Sequence, residues 1–279
     1  YDSRVRAGAR CPGVMTIAEA MPYKISVVIS TYNDREFVEK KLAEICKQSI
    51  FQQAEFIFVE PDSPQREREL LAPFCEQHPN CTLLVPGERI NLFSAWNLGW
   101  EAARAPLVCY SNMDDIMHPR LLESVVKQMD ARDWDVCTVL TARQHLSRIP
   151  ADDRWSLDSL RRMRLFHRPG AFTAWRSSLK DSIGMFDEAY FAAGDKEFWG
   201  RIIDRGIKYG LLRKILYIYS KSEQQLSKSA AGEQRRREDK QRLAQTGYRR
   251  YWPYRVFPHY TFMRLVFRLY PRRYYLPPA

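Results

Sequence analysis

The sequence predicts an α/β fold, a mainly parallel twisted sheet with helices on both faces, followed by a basic, aromatic C-terminal extension. Three observations predict it. Short runs rich in Val, Ile and Phe alternate with helix-length amphipathic segments from residue 21 onward. The strand-like runs are apolar without alternation, the pattern of strands covered on both faces. The connections are short, so each strand feeds a helix that returns to the next parallel strand.

KISVVIS (24–30) is the first strand. DREFVEKKLAEICKQS (34–49) follows as a helix, with Asp34 as its capping residue and Phe37, Val38, Leu42 and Ile45 on one face. AEFIFVE (54–60) is the second strand, QRERELLAPFCEQH (65–78) the next helix and CTLLVP (81–86) the third strand. NLFSAWNLGWEAAR (91–104), PLVCYS (106–111), HPRLLESVVKQMD (118–130) and WDVCTVLT (134–141) continue as helix, strand, helix and strand. Beyond residue 142 the pattern weakens, and 148–172 reads as an excursion over the sheet face. Residues 192–210 read as a helix opening near Asp195, with Phe198, Trp199, Ile202 and Ile203 as its apolar side and Gly206 as its C-cap. A strand over 211–220 and a polar stretch over 220–234 follow.

In a parallel sheet ligands bind where the strands end. Three polar clusters stand at such ends: STYND after the first strand, EPDSPQ after the second and SNMDD after the fourth. No GxxxxGK[ST], no GxGxxG after the first strand and no GxSxG occurs, which argues against a P-loop, a dinucleotide site and a serine-hydrolase elbow. The adjacent carboxylates Asp114 and Asp115 have a bland reading as a polar turn or helix cap. Their other reading is a site for a hard divalent cation, which takes one or two carboxylates plus substrate phosphates. Asp195 likewise reads either as a helix cap or as a cleft carboxylate.

The segments KISVVISTYNDREFVEKKL, FIFVEPDSPQ, AWNLGWEAARAPLVCYSNMDD and GMFDEAYFAAGDKEFWGRI together resemble a family 2 glycosyltransferase of the bacterial polysaccharide or capsule type, over residues 21–225. The resemblance implies the Rossmann-like GT-A fold and inverting transfer of a sugar from a nucleotide-diphosphate sugar, a UDP-sugar. The implied acceptor is a hydroxyl of a saccharide or lipid-linked molecule, and the implied cofactor is Mg²⁺ or Mn²⁺. It places Thr31, Tyr32 and Asn33 in the nucleotide loop, Glu60 against the base and Asn97 near the sugar nucleotide. NMDD matches the family's DxDD: Asn112 replaces the first acid, Asp114 takes the metal position and Asp115 supports it. GDKEFW matches EDxxLW, with Asp195 as catalytic base, Gly194 in place of Glu and Glu197 as a nearby alternative. TAWRSSL (173–179) matches a cleft-lining segment, making Trp175 and Arg176 candidates for acceptor or phosphate contacts, with packing as their competing reading. Ser220, Lys221 and Ser227 are candidates for the diphosphate. Alternatives from other classes are a nucleotidyltransferase and a non-catalytic nucleotide- or RNA-binding protein on the same fold.

The 279 residues carry 44 Lys and Arg against 33 Asp and Glu, a net charge of +11, which suits either solubility or anionic partners. The six cysteines show no CxxC spacing and read as small buried hydrophobes of a reducing cytosol, with a Cys75–Cys81 bridge as the alternative. No run of about 18 apolar residues is present, so no transmembrane helix is expected. Residues 1–20 are expected to be an extension without a signal-peptide core, 21–225 the catalytic domain and 226–279 a basic aromatic region. No acid follows Asp239, and residues 240–279 interleave arginine with aromatics. Three readings of that tail compete: a helical appendage packed on the domain, an interfacial anchor on an anionic membrane, and nucleic-acid binding, the least favoured. The expected location is the cytoplasm or the cytosolic face of the membrane.

Overall fold

The computed structural model describes residues 23–145, 148, 153–166, 171–221, 230–248 and 269–278. The first half is the expected alternation: β1 (Ile25–Ser30), α1 (Arg35–Ile45), β2 (Ala54–Val59), α2 (Arg68–Gln77), β3 (Cys81–Leu84), α3 (Leu92–Ala102) and β4 (Leu107–Asn112). These strands lie in the order β3-β2-β1-β4, all parallel. The register pairs Ser30 with both Val59 and Asn112, so β1, β2 and β4 end level. Alternate residues of β1 serve opposite faces. Ile25, Val27 and Ile29 join Phe37, Val38 and Ile45 of α1 in one core. Val28 joins Phe93, Trp96 and Trp100 of α3 in the other. This double burial is why the strands read as unbroken apolar runs.

The second half is mixed. It contains β5 (Ile116–Met117), α4 (Leu121–Arg132), β6 (Val136–His145), α5 (Leu157–Arg162), β7 (Arg164–Phe166), β8 (Thr173–Arg176), α6 (Leu179–Ile183), α7 (Gly194–Asp204) and β9 (Tyr209–Lys221). β8 enters antiparallel between β4 and β6, so the fifth parallel strand of the expected alternation does not neighbour the fourth. β9 runs parallel to β6 with register shifts between Val139 and Thr141. β5 pairs antiparallel with β9, setting Ile116 opposite Ile218 and Met117 opposite Tyr217. The excursion after β6 covers a third core, where Trp155, Leu160 and Leu165 meet Leu140 and Ile218.

α7 ends as expected at Gly206, whose φ is +66°. The Gly206 N–H donates to the Ile203 carbonyl and the Ile207 N–H to the Ile202 carbonyl, a Schellman closure. Asp34 stands at the start of α1 but makes no side-chain cap. Its carboxylate instead accepts from the Tyr32 N–H at 3.2 Å, a tight local turn that competes with capping. Cys75 and Cys81 are free thiols, so the alternative bridge does not form.

The C-terminal region supplies α8 (Ala230–Gln245) and α9 (Pro271–Tyr274). Tyr274 is buried in the third core. The Leu276 carbonyl contacts His118 Nε2 at 3.1 Å, and the Tyr275 carbonyl accepts from Lys214 Nζ at 3.0 Å. These residues pack on the domain, in line with the appendage reading. Residues 249–268 and 279 of the tail, and the expected extension over 1–20, lie outside the described residues.

Candidate active site

The loops after β1 and β2 are laced to each other at the level sheet edge. The Thr31 N–H extends the ladder to the Val59 carbonyl at 3.0 Å. Asn33 turns the chain at φ +60°, a conformation Asn tolerates, and its N–H donates to Ser63 Oγ at 3.0 Å. The Ser63 N–H in turn donates to Glu60 Oε1 at 3.0 Å, and the Asp34 N–H to Glu67 Oε1 at 2.6 Å. The Arg89 guanidinium lies 4.5 Å over the Tyr32 ring, a cation–π contact on the rim of this edge. Thr31 Oγ1, Glu60 Oε2 and Glu67 Oε2 are buried without a hydrogen-bond donor or acceptor of their own among the described residues. Buried polar atoms left so concentrate where a ligand completes the site. Burial pushes the Glu60 carboxyl up, and Arg68 at 3.6 Å draws it back.

Asp114 and Asp115 are adjacent in sequence and differ in use. Asp115 is 2 % exposed. Its Oδ2 accepts from Asn112 Nδ2 and from the Tyr217 hydroxyl, each at 2.9 Å, and its Oδ1 accepts from the Ser220 N–H at 2.9 Å. Through these bonds Asp115 ties β4 to β9, a structural use beside the supporting role the resemblance implied. Asn112 is the donor in that tie, where an acid would repel Asp115. The Lys41 ammonium, 2 % exposed, donates to the Asp115 carbonyl and to Glu44 Oε1. Asp114 is half-buried, and its carboxylate has only its own N–H as donor among the described residues. Burial raises its pKa and the Lys41 charge lowers it. Burial, then the charge of Asp114, pushes Asp115 well above the usual range. Among the described residues no group of three His, Cys, Asp or Glu side chains is arranged to hold a metal. Asp114, with Asp115 beside it, is the carboxylate here that could hold a hard cation whose remaining ligands are substrate phosphates.

Asp195 is the second residue of α7, inside the first turn; Ala193 takes the capping position. Its Oδ1 is buried without a partner among the described residues. Burial holds its pKa up, Lys196 pulls it down and Asp239 pushes it up. The Tyr110 phenol on β4 is raised by its burial and then by the charges of Asp195 and, more weakly, Asp115. Gly194 is explained by packing: a Cβ there would stand 2.9 Å from the Phe93 ring. Glu197 is not available as an alternative base, because Arg201 takes both its oxygens at 2.8 Å. Arg201 is itself anchored to the Ile183 and Met185 carbonyls.

Two expected groups are placed differently. Asn97 is 5 % exposed and spends its amide on the 186–188 segment, donating to the Phe186 carbonyl and Glu188 Oε1 and accepting from the Phe186 N–H. Trp175 and Arg176 pair with Val108 and Leu107, at the start of β4 rather than at Asn112, because β8 runs antiparallel. Arg176 meets Asp135 at 3.4 Å, and Trp175 packs edge-on against Trp100. Arg176 thus packs toward the opposite sheet edge, while the buried Trp175 ring also reaches Tyr110, centroid to centroid 5.9 Å. Ser220 reaches Asp115 through its N–H, while Ser227 and the Lys221 side chain lie outside the described residues.

Lys41, Tyr217 and Asp239 escaped the sequence reading. For Lys41 a signal exists: it falls on the buried stripe of α1 with Phe37, Val38 and Ile45. Tyr217 looks like any core strand residue until β9 is paired with β5.

Residues 26–180 match the model of the glycosyl transferase family 2. The chain is similar to the minor teichoic acid biosynthesis protein GgaB of Bacillus subtilis, 23% identical over 208 residues, covering 71% of this chain and 23% of that protein. The chain spans well under half the length of the curated relatives it matches. Among solved structures it resembles S. aureus TarS in complex with UDP-GlcNAc, with a TM-score of 0.59 at 17% identity over 74% of this chain and 61% of the other. It also resembles a mannosyltransferase from Pyrobaculum calidifontis in complex with GDP-Man and Mn²⁺, with a TM-score of 0.57 at 18% identity over 78% and 61%.

Proposed function

Because the chain belongs to glycosyl transferase family 2, we propose that it moves a sugar from a UDP-sugar to a hydroxyl of a saccharide or lipid-linked acceptor with inversion. Asp195 is the general base, and Asp114 holds a divalent cation, Mg²⁺ or Mn²⁺. The observation that carries this reading is the Asp195 carboxylate in the first turn of α7, buried and without a partner on Oδ1 among the described residues.

Asp195 takes the proton of the acceptor hydroxyl as that oxygen bonds to the anomeric carbon. The bond from that carbon to the diphosphate oxygen breaks, its electron pair leaves with UDP, and the configuration inverts. A buried carboxylate with a raised pKa is a stronger base once ionised, which suits this transfer. A cation held by Asp114 would supply electrostatic stabilisation of the departing diphosphate. Thr31, Tyr32 and Asn33 form the nucleotide rim, and Glu60 lies beneath it. The choice of UDP is supported by the UDP-GlcNAc bound by the fold relative TarS and by the sequence match of Glu60 to the acid that the resemblance implies reads the base. The likeness to GgaB, a minor teichoic acid biosynthesis protein, supports an acceptor of the teichoic acid kind. The cytosolic face of the membrane is part of this proposal. Among the described residues no helix is long and apolar enough to cross a bilayer.

The test is UDP release from UDP-GlcNAc in Mn²⁺ with water as acceptor. EDTA is expected to abolish release and Mn²⁺ to restore it. Proton NMR before mutarotation is expected to find the β-anomer from the α-linked donor. Release that persists in EDTA contradicts the Asp114 assignment, and an α-anomer contradicts inversion.

A further inference from the structure

Half of the residues of helix α8 are charged, and its described buried face is a narrow stripe of Gly232, Asp239 and Leu243. The central residue of that stripe is an acid only 4 % exposed, on a strongly basic segment. Burying a carboxylate costs free energy unless donors meet it. The donors here are backbone groups of the loop that opens α7. Phe191 N–H donates to Asp239 Oδ1 at 3.0 Å and to Oδ2 at 3.1 Å, and Ala192 N–H donates to Oδ2 at 2.6 Å. The next residue, Ala193, starts α7, its carbonyl accepting from the Lys196 and Glu197 N–H groups. Asp195 is thus three residues beyond the Ala192 contact, inside the first turn of α7.

Other contacts seat α8 on the same loop and on α7. Arg235 lies 5.2 Å over the Phe191 ring and Arg242 5.7 Å over the Tyr190 ring. Leu243 joins the core of Trp199 and Ile202. Tyr248 packs so closely on Gly200 that a Cβ there would come within 2.4 Å of its ring. We propose that Asp239 is a positioning residue: its buried carboxylate fixes the loop that opens α7 and so sets where Asp195 stands, which makes α8 part of the catalytic apparatus. This rests on the reading of Asp195 as the base. None of it lies within residues 26–180 of the family match.

Asp239 has a second, electrostatic reach. The charged groups acting on the Asp195 carboxyl are Lys196, which lowers its pKa, and Asp239, which raises it alongside burial; the Tyr110 phenol stands nearby. Activity requires ionised Asp195, so the acid limb of the rate profile follows that pKa. Removing the charge at 239 lets Asp195 ionise at lower pH, and the acid limb moves down.

The experiment measures UDP release from UDP-GlcNAc in Mn²⁺ against pH for the full chain and for D239N, D239E and D195N. D239N is expected to lose about 10–100-fold in kcat, as misplacement of a reacting group does, with donor KM held within about twofold. Its acid limb is expected at lower pH than that of the parent. D239E keeps the charge and shifts the carboxylate by one methylene, so kcat is expected to fall with the acid limb unmoved. A folded D239N with parental kcat and acid limb, beside an inactive D195N, overturns this inference alone. A loss that only tracks the folded fraction, with the limb unmoved, overturns it as well. Should D239N fail to fold, D239E decides: parental kcat overturns the inference, and reduced kcat at an unmoved limb upholds it. Turnover by D195N overturns the base assignment and this inference with it.

Discussion

Asp34 sits half-buried at the site edge with Glu67 and Asp114 near enough to oppose its charge, and burial, foremost, raises its pKa to about 7. In the unfolded chain the same carboxyl titrates near 3.8. Stability linked to Asp34 is therefore fully present below about pH 4 and is lost as pH rises through about 7, where the folded state must hold the charge. Asp34→Asn removes that cost. In EDTA it is expected to raise Tm at pH 8, by about 2–4 °C for each kcal/mol released, and to leave Tm at pH 4 unchanged. An equal shift at both pH values would refute the assignment. Residues of this edge were only partly legible in the sequence. The pair Asp114 and Asp115 could be found from its place after an apolar strand, but not divided into roles. The division depends on Tyr217 and Ser220, about a hundred positions away, which β9 brings to Asp115. Glu197 is likewise distinguished from Asp195 by Arg201, which donates to both its oxygens and is one helical turn away.

α3 lies against β1 at a separation that only glycine allows. A Cβ at Gly99 would stand 2.4 Å from Val28 Cγ1. Gly99→Ala is expected to cost about 1–3 kcal/mol, the usual range for overpacking, read by urea unfolding. Val28→Ala in the same background is expected to return part of the loss; additive losses would contradict the contact. The parallel strands were legible because their unbroken β-branched and aromatic runs have few other uses. β8 was not, since TAWR is four residues in a mixed stretch and its insertion between β4 and β6 is a long-range pairing. That insertion is also what carries Trp175 and Arg176 to the edge away from the site. β5, two residues long, is defined by its partner β9 rather than by any run of its own.

Across the whole molecule, function depends on a convergence that the order of elements makes possible. Three parallel strands end level, with Thr31, Glu60 and Asp114 in the loops beyond them, while α7 carries Asp195 in its first turn. The C-terminal region adds α8 behind α7 and returns Tyr274 and Leu276 to the domain. The aromatic and basic composition of this region was plain in the sequence. Its one buried acid, Asp239, looked like the last charge before an acid-free tail. The measurement closest to the central claim is single-turnover UDP release from UDP-GlcNAc in Mn²⁺ by the parent and by Asp195→Asn, with UDP affinity measured by calorimetry on both. Release is expected to fall by about 10²–10⁴-fold, the worth of a general base, while UDP affinity is unchanged. Near-parental release by the Asp195→Asn variant would contradict the account.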